Sequence, residues 1–447
     1  MLVLKFGGSS VADATCMRSV ASLVDAALPQ APLVVLSAMG KTTNALFESA
    51  QRAEAGDLTG ALHTLAAIRA HHESTGRALC GESAPDLSDA FEELELLLRG
   101  VALLRELTPR TLDAIASFGE RLSTRVFAAF TGHTWFDVRR VIRTDDHFGE
   151  ALPDSGAIAD LVQSHLVPLL GPGRAVVTQG YIGATEEGLT TTLGRGGSDH
   201  SAALLGAALH AEEVQIWTDV EGILTADPRV VPEAMPIAHL AFAEAAELAA
   251  FGAKVLHPAT IQPAVEANIP VTVRHTERPQ GRFTTISGQV ATGRAVTALA
   301  SRGPVTVLTV SSTRMLAQSG FLGRLFEVFA RHGVSVDLVA TAEVSVSLTV
   351  EADAPLKALL KELGTFASVT VSQDRAIVAV VGERLKRTPG ICARIFTALR
   401  DINVEMISMG ANEINLSLVV PKEHADEALR RLHAALITAP PLEGVAP

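Results

Sequence analysis

Two glycine-rich stretches of the sequence carry charged side chains of the kind that bind phosphate. Residues 5–10 read Lys-Phe-Gly-Gly-Ser-Ser, and residues 190–199 place Arg195 among three glycines and end at Asp199. Glycines let backbone N–H groups approach an anion, and a helix N-terminus adds further donors. Arg195 offers a bidentate fork to a carboxylate or phosphate. The first stretch equally fits an ordinary tight turn, whereas the second is the more specific signal for an anion site.

Residues 37–44, Ser-Ala-Met-Gly-Lys-Thr-Thr-Asn, contain a Gly-Lys-Thr sequence that also occurs in one type of phosphate-binding loop. That loop requires a glycine five positions before Gly40, where this sequence has Val35 inside an apolar run. That type of loop is therefore excluded. Two interpretations remain: the stretch caps the following helix, or its hydroxyl groups bind a small substrate.

Three further stretches are weaker candidates when each is taken alone. Residues 217–229 combine acidic side chains and Arg229 in a turn-rich loop, which fits nucleotide binding or plain turn formation. Glu120 could hold an amino group, or it could lie on a solvated helix face. Lys254 could contact a phosphate, while His257 precedes a proline and is predicted to be structural.

The elements that must position these residues alternate between strand-like and helix-like segments from residue 1 to about 285. This alternation predicts an α/β fold with a mainly parallel sheet sandwiched by helices. In such sheets the ligand crevice lies at the carboxyl ends of the strands, where the candidate loops begin. The predicted strands are residues 2–6, 33–37, 175–179, 214–218 and 271–274.

The sequence after residue 303 contains an internal repeat. Phe326 matches Phe396 and Glu343 matches Glu413, both at an offset of 70 residues. Each copy reads strand, helix, strand, strand, helix, and one further strand completes the ferredoxin-like βαββαβ plan. The predicted elements are residues 305–311, 321–332, 334–340, 344–350 and 356–363 in the first copy, and 376–382, 391–401, 404–408, 414–419 and 423–435 in the second. The expected domains are residues 1–290, 304–372 and 376–447.

Composition narrows the class of protein. The 447 residues are too many for one hydrophobic core, and 48% apolar content excludes a disordered chain. A net charge of −12 argues against nucleic-acid and anionic-membrane partners. Three distant cysteines form neither a disulfide framework nor a clustered metal site, and no signal or membrane-spanning segment is evident. We therefore expect a cytoplasmic protein.

In their order along the chain, six stretches resemble those of aspartate kinases: KFGGSSV, SAMGKTTN, SFGERLS, TTTLGRGGSD, WTDVEGILTADPR and FGAKVLHPA. KFGG and GRGGSD resemble the amino-acid kinase fold in general. FGAKVLHP and the paired C-terminal repeats, which are similar to ACT domains, narrow the resemblance to aspartate kinases. It covers essentially the whole chain and implies an amino-acid kinase domain followed by two ACT domains.

The resemblance implies transfer of the γ-phosphoryl group of ATP, accompanied by Mg²⁺, to the side-chain carboxylate of L-aspartate, the first step of lysine, threonine and methionine biosynthesis. A carboxylate with a reference pKa near ~4 is already ionised and needs no general base. By resemblance, the catalytic residues are Lys5, Asp199 and Lys254. The implied substrate-binding residues are Ser37, Thr43, Glu120, Arg195, Gly196 and Ser198, and the implied nucleotide-binding residues are Lys5, Gly7, Gly8, Ser9, Thr218, Asp219, Leu224, Arg229 and Lys254.

The resemblance also implies feedback control by an amino acid, with L-lysine expected. Asp337 and Glu343 would meet its cationic side chain. The implied effector-binding residues are Met315, Gln318, Gly320, Phe321, Leu322, Val336, Asp337, Thr341 and Glu343. Exposed strand edges of ACT-like units usually pair between subunits, so a homodimer through these domains is expected.

Features of the sequence disfavour three other functions. A kinase of the same fold acting on glutamate or carbamate is disfavoured by the paired regulatory repeats and by Glu120. An amino-acid-binding regulator with an inactive kinase domain is disfavoured because Lys5, Arg195, Asp199 and Lys254 are all present. A dinucleotide-dependent dehydrogenase is disfavoured because no G-x-G-x-x-G follows the first strand.

Overall fold

The computed structural model describes residues 1–252, 258–288, 295–316, 319–410 and 412–439. These residues form two compact units. The first unit comprises the described residues of Met1–Ile223, Ala238–Phe242 and Val255–Gln289. The second comprises those of Leu224–Ile237, Ala243–Lys254 and Val290–Pro447.

The first unit is built on an eight-stranded sheet with the order β3-β4-β2-β1-β7-β9-β10-β8. Strand β10 runs antiparallel to β9 and parallel to β8, and all other neighbours are parallel. Strands β5 and β6 form a separate antiparallel pair. The strands are β1 (Leu2–Phe6), β2 (Leu33–Leu36), β3 (Thr134–Trp135), β4 (Val176–Gln179), β5 (Ile182–Ala184), β6 (Thr190–Thr192), β7 (Glu213–Thr218), β8 (His239–Ala241), β9 (Val271–His275) and β10 (Thr284–Ser287).

The central strands are buried on both faces, which explains why they read as continuous apolar runs. Every residue of β1 and β2 is buried, as expected for a parallel sheet covered by helices on both sides. The five strands predicted from the sequence are all present, with bounds that agree to within one residue. The helices are α1 (Ala14–Ala27), α2 (Thr42–Glu54), α3 (Leu58–Cys80), α4 (Ser88–Leu104), α5 (Pro109–Ala116), α6 (Phe118–Thr131), α7 (Ser155–Leu161), α8 (Gly197–Ala208), α9 (Phe242–Ala250) and α10 (Pro258–Glu266).

The second unit is built on a six-stranded antiparallel sheet with the order β12-β13-β11-β14-β16-β15. Helices α11 and α12 pack with one half of it, and α13 and α14 with the other. The elements are β11 (Ala298–Ser311), α11 (Phe321–Arg331), β12 (Val339–Thr341), β13 (Ser345–Glu351), α12 (Leu356–Leu363), β14 (Ser368–Val381), α13 (Ile391–Ala398), β15 (Met406–Met409), β16 (Asn415–Pro421) and α14 (Ala425–His433).

The two central strands are shared between the repeats. Strands β11 and β14 are each 14 residues long. The first half of β11 pairs with the second half of β14 beside β16, and the second half of β11 pairs with the first half of β14 beside β13. Each repeat therefore obtains its additional strand from the other. We call β12, β13, α11, α12 and the adjoining strand halves the first module, and β15, β16, α13, α14 and theirs the second module.

The predicted starts of β11 and β14, residues 305 and 376, are therefore too late. Residues 298–302 and 368–375 extend these strands. The hydrophobic pattern did not identify these extensions. The first half of β14 has no fully buried residue, so it lacks the alternation of buried and exposed positions that marks a strand, and a register shift interrupts β11 after Arg302.

No helix within the described residues is long and apolar enough to cross a membrane.

The close approach at Gly382 gives a test of the fold of the second unit. A Cβ there would lie 2.2 Å from the Ala295 carbonyl oxygen and 2.6 Å from the Val296 Cα, both backbone atoms that cannot rotate away. We expect Gly382→Ala to lower the free energy of unfolding by about 1–3 kcal/mol or more, as overpacking does. Thermal and urea denaturation measure the change.

Gly323 provides the matched control, since it is a glycine of the same unit with open space around its Cβ position. It lies inside α11, so Gly323→Ala should stabilise the protein by about 0.5–1 kcal/mol through helix propensity. Equal effects of the two alanines would contradict the packing at Gly382.

Candidate active site

A cleft of about 730 Å³ opens in the first unit, where β1, β2 and β4 reach their carboxyl ends. It is lined by polar loops that follow buried strands, as expected of an open α/β sheet. Ten of the residues predicted from the sequence line it: Lys5, Gly7, Gly8, Ser37, Thr43, Glu120, Arg195, Gly196, Ser198 and Asp199.

An ion pair joins the two glycine-rich stretches. Lys5 Nζ lies 2.6 Å from Asp199 Oδ1, and their side chains are only 11% and 15% exposed. At this distance the opposite charges attract each other directly. Lys5 is near the end of β1 and Asp199 is in the first turn of α8. The pair therefore fixes these two elements against each other at the cleft.

Gly8 allows the loop after β1 to approach the loop after β2. A Cβ at Gly8 would lie 2.9 Å from the Ala38 carbonyl oxygen and 3.0 Å from that of Gly40. The Gly40 N–H donates to the Gly8 carbonyl at 3.0 Å. Because backbone atoms stand on the opposite side, any side chain at this position would force the loops apart.

The second glycine-rich stretch forms a helix N-terminus that faces the cleft. Gly194 and Gly196 both have φ of +71°, and Gly196 is the residue that precedes α8. Arg195 between them is exposed and, among the described residues, has no ion-pair partner. The Ser198 hydroxyl accepts from the Ser37 hydroxyl at 3.0 Å. A helix N-terminus with a free guanidinium is suited to binding an anion.

Glu120 is a buried carboxyl group at the floor of the cleft. Its Oε1 accepts from the Ala38 N–H at 3.2 Å, and its Oε2 has no hydrogen-bond partner within the described part of the chain. Burial raises the pKa of Glu120 to about 8. It lies in the first turn of α6, which approaches the loop after β2 closely because Gly119 faces the Ala38 Cβ. A cationic group of a ligand would stabilise its ionised form.

Asp113 supports one wall of the cleft and was not singled out by the sequence. Its carboxylate accepts from the N–H groups of Gly149 and Thr192, both at 2.9 Å, and from the Thr192 hydroxyl at 2.8 Å. Burial raises its pKa, partly offset by these donors. Asp113 thereby ties α5 to β6 and to the turn at Gly149, which lines the cleft.

The cleft also contains residues that the sequence analysis left out of the site, chiefly Tyr181 and Lys41. Tyr181 has φ of +69°, and burial raises its pKa to about 12. It is the single tyrosine of the chain and follows the predicted strand 175–179 by two residues, a position that could have marked it. Lys41 lies in the stretch 37–44, but nothing in the sequence distinguishes it from a solvated lysine.

Other predicted nucleotide-binding residues lie outside this cleft lining. Thr218 ends β7, the strand next to β1, and Asp219 follows it. The Gly7 N–H donates to the Trp217 carbonyl at 3.3 Å. Ser9 is exposed in the turn after β1. Leu224 and Arg229 belong to the second unit, where Arg229 pairs with Asp227 at 2.6 Å. Lys254 lies outside the described residues.

The predicted effector-binding residues belong to the first module, except that Gln318 lies outside the described residues. Asp337 already has a cationic partner, because Arg302 Nη1 lies 3.1 Å from its Oδ1 while Nη2 contacts Glu351. Burial raises the pKa of Asp337, and Arg302 offsets part of that rise. Glu343 is exposed. The remaining predicted residues surround the start of α11 and the β12–β13 hairpin: Met315, Gly320, Phe321, Leu322, Val336 and Thr341.

The cleft contains one region suited to a negatively charged group of a ligand and another suited to a positively charged group. Lys5 and the α8 N-terminus offer positive potential, and Glu120 offers a carboxyl group that lacks a counter-charge. Across the described ranges, no three His, Cys, Asp or Glu side chains are grouped as a protein-built metal site requires. The cleft is therefore suited to a small zwitterionic molecule next to a phosphate.

Comparison with known proteins agrees with this chemistry. Residues 1–275 match the model of the amino acid kinase family, and residues 308–361 and 378–436 match an ACT domain model. The chain is 42% identical to lysine-sensitive aspartokinase 3 of Escherichia coli, covering 98% of this chain and 99% of that protein. It is 39% identical to the chloroplastic aspartokinase 3 of Arabidopsis thaliana, covering 99% of this chain and 83% of that one.

Solved structures of aspartokinases also resemble this chain over almost its whole length. The chain superposes with a TM-score of 0.82 on E. coli aspartokinase III in complex with lysine and aspartate in its T-state, and with 0.83 on the R-state enzyme in complex with aspartate and ADP. Both structures are 41% identical to this chain, and each comparison covers 98% of this chain and 99% of the other.

The buried Glu120 carboxyl group predicts a specific dependence of stability on pH. In the folded protein it keeps its proton up to about pH 8, whereas the unfolded chain loses that proton near its ordinary pKa of 4.5. Between these values the folded state binds more protons, so its free energy of unfolding falls as pH rises, by at most about 1.4 kcal/mol per pH unit. Glu120→Gln removes this titration.

Urea denaturation of the parent and of Glu120→Gln at pH 5.5, 6.5 and 7.5 checks the prediction. The stability of the parent relative to the variant should decrease steadily across this range. Glu92→Gln, at an exposed glutamate of α4, is the control for the chemical change itself. Parallel pH profiles for the parent and Glu120→Gln would contradict the shifted pKa.

Proposed function

The chain belongs to the aspartokinase family of amino acid kinases, and on this premise we propose which of its residues carry out the reaction. Aspartokinases are ATP-dependent kinases, and this chain phosphorylates the side-chain carboxylate of L-aspartate to give 4-phospho-L-aspartate. The observation that carries the assignment of residues is the juxtaposition in one cleft of a buried, unpaired carboxyl group and a lysine at a phosphate-type loop.

In this proposal, L-aspartate is bound through both its α-ammonium group and its α-carboxylate. Glu120 receives the α-ammonium group, which supplies the counter-charge that its buried carboxylate lacks. Arg195 forms the bidentate contact with the α-carboxylate. Hydroxyl and backbone groups complete the binding site: Ser37, Thr43, Gly196 and Ser198. The exposure of Arg195 and its lack of an ion-pair partner among the described residues support this role.

The side-chain carboxylate of aspartate then attacks the γ-phosphorus of ATP, and ADP leaves. The attacking oxygen is already ionised, so this chain needs no general base. What it must supply is alignment and positive charge at the phosphoryl oxygens. Lys5 is buried beside Gly7 and Gly8, which supports its role in offsetting that charge. Lys254 is proposed as the second cation from the sequence resemblance alone.

Mg²⁺ accompanies ATP in this proposal and is held mainly by the phosphates. Asp199 fits this role, because its carboxylate lines the cleft beside Lys5 and the phosphate-type loop. Mg²⁺ is commonly bound by one or two carboxylates together with substrate phosphates. It would neutralise charge on the nucleotide.

The remaining nucleotide contacts are proposed from the resemblance. Ser9, Thr218 and Asp219 lie at or just after the ends of the adjacent strands β1 and β7, which supports a shared role in holding the phosphates and ribose. Leu224 and Arg229 are proposed to contact the base and the phosphates.

We also propose that L-lysine is the feedback effector and that the first module binds it. A relative of 42% identity is described as lysine-sensitive. Asp337 and Glu351 of the first module form a cluster with Arg302, from the first half of β11, and the formal net charge of this cluster is −1, so a cation could still be attracted to it. Glu343 supplies a further exposed carboxylate nearby in sequence.

A homodimer through the ACT domains and a cytoplasmic location complete the proposal. The edge strands β12 and β15 carry exposed apolar side chains, Val339, Ile407 and Met409, and edges of this kind commonly pair with a second chain. The three cysteines are all free thiols, which fits a reducing compartment.

Trapping of the acyl phosphate with hydroxylamine tests the proposed activity directly. With MgATP, the parent should form the hydroxamate of L-aspartate and not that of L-glutamate. Lys5→Met should lower kcat by about 10²–10³-fold, as loss of a transition-state charge contact does, while Lys357→Met, at an exposed lysine of α12, should leave it unchanged. Hydroxamate from glutamate alone would favour the glutamate kinase, and none from either would favour an inactive regulator.

Asp337 tests the proposed effector site. Removing its charge should raise the lysine concentration that gives half-inhibition by about tenfold or more, because charged hydrogen bonds contribute about 1.5–3 kcal/mol. Asp337→Ala and the control Asp353→Ala, an exposed aspartate of the same module, are compared in the hydroxamate assay with increasing lysine. If Asp337→Ala stays as sensitive as the parent, lysine does not bind there.

A further inference from the structure

Two segments that precede the repeats in sequence belong to the second unit. They are the described residues of Leu224–Ile237 and Ala243–Lys254. In sequence both lie within residues 1–275, which match the amino acid kinase family. The first segment carries Leu224 and Arg229, and Lys254 follows the described part of the second segment in sequence. The second unit thus carries two described residues that are proposed to bind nucleotide, Leu224 and Arg229.

The first segment contributes side chains to the hydrophobic core of the second module. Ala226 and Val231 are buried at 4% and 2% exposure. They belong to the same core cluster as residues of β14, β16, α13 and α14. Val230 and Ala234 pack against the edge of that cluster. The segment is therefore part of the module's interior and is not a loop lying on its surface.

Thr225 fixes the start of this segment with four hydrogen bonds. Its hydroxyl group bonds to His433 Nε2 of α14 at 2.9 Å and accepts from the Met235 N–H at 2.9 Å. Its backbone N–H donates to the Met235 carbonyl at 2.9 Å, and its carbonyl accepts from the Leu299 N–H of β11 at 2.8 Å. Thr225 is adjacent to Leu224, so these bonds determine where Leu224 can lie.

The second segment is attached through the two glutamates of α9. Glu244 is buried, and its Oε1 accepts from the Thr297 hydroxyl at 2.6 Å and from the Glu383 N–H at 3.1 Å. Glu247 accepts from Asn412 Nδ2 at 2.5 Å and from Asn415 Nδ2 at 2.7 Å.

The amide of Asn412 is held so that its NH₂ group faces Glu247. Its Oδ1 accepts from the N–H groups of Ile414 at 3.1 Å and Asn415 at 2.9 Å. Turning the amide over would lose these two bonds and bring its oxygen against a carboxylate. This contact is therefore oriented, and the helix that leads to Lys254 has a defined attachment to the second module.

We propose that the second module is the scaffold of the nucleotide-binding segments, with Thr225, His433, Glu247, Asn412 and Asn415 as positioning residues that set nucleotide affinity. The inference rests on the proposed function for the identity of the nucleotide contacts. It assigns the two repeats different tasks: the first module binds the effector, and the second holds the residues that bind ATP.

A purely structural role is the competing explanation, and the pattern of kinetic effects separates the two. Loss of general packing would lower the concentration of active enzyme and reduce the response to every ligand. Displaced nucleotide segments would weaken nucleotide binding while the KM for aspartate, measured at saturating MgATP, stayed constant. The test therefore compares the two ligands in the same variant.

The experiment measures binding of MgADP by titration calorimetry and the steady-state KM values for ATP and aspartate in the full-length protein. Thr225→Val keeps the shape of the side chain but removes the hydroxyl group. We expect a Kd for MgADP about tenfold higher, since about two hydrogen bonds are lost. The KM for aspartate should change by less than about twofold. Thr225→Ser keeps the hydroxyl and should retain the nucleotide affinity of the parent.

Glu247→Ala is the second variant, and it keeps the test decisive if Thr225→Val fails to fold, because Glu247 is only half-buried. It should raise the Kd for MgADP by a similar factor. Glu423→Ala, at an exposed carboxylate of the second module, is the control and should have no effect. Unchanged MgADP affinity in folded Glu247→Ala, or an equal loss of affinity for aspartate, would overturn the inference.

The MgADP measurement also separates this inference from the proposed function. If the parent forms no aspartyl hydroxamate, the proposed function fails, but the nucleotide affinities of the variants can still be compared. If the parent is active and the variants bind MgADP normally, the scaffold role alone is refuted.

Discussion

The ion pair between Lys5 and Asp199 is the interaction on which the geometry of the cleft depends. A charge that is almost fully removed from water requires a partner, because desolvation without one costs several kcal/mol. Here the partner lies 194 residues away in sequence, at the start of α8. The pair therefore brings the end of β1 and the N-terminus of α8 together, and with them both glycine-rich stretches. Without bound ligand, each side chain provides the charge that the other needs.

Glu120 shows the opposite arrangement in the same cleft. It is as deeply buried as Lys5 but has no cation beside it, so it is most stable with a proton. A site that contains one compensated charge pair and one uncompensated carboxyl group is selective for what enters. An ammonium group gains a buried counter-charge at Glu120, whereas a phosphate gains from Lys5 and the N-terminus of α8. The placement of charges in the cleft thus favours one orientation of a bound ligand, independently of the shape of the cleft.

The sequence predicted the parts of this site that depend on local chain geometry. Strands β1, β2 and β4, and the loops that follow them, were recognisable because buried parallel strands give continuous apolar runs that end in glycine and hydroxyl residues. Asp113 was not recognisable, and the only signal for Tyr181 was its place two residues after a predicted strand as the single tyrosine of the chain. The roles of both come from tertiary structure, a strained backbone at Tyr181 and three donors that converge on Asp113, and local patterns do not encode either feature.

The second unit shows a further limit, which concerns topology rather than local structure. The repeat revealed two modules, but it could not reveal that β11 and β14 each serve both, because strand exchange leaves the spacing of a repeat unchanged. Nor could it reveal that Ala226 and Val231 complete the core of the second module, since a small apolar residue in a loop is compatible with any neighbour. Thr225 and Glu247 are hydrogen-bonded to that module. A movement within the module is therefore transmitted through these hydrogen bonds, and then along the backbone, to Leu224 and to the end of α9. A change that repacks β11 against β14 would therefore displace the segments that follow Thr225 and Glu247.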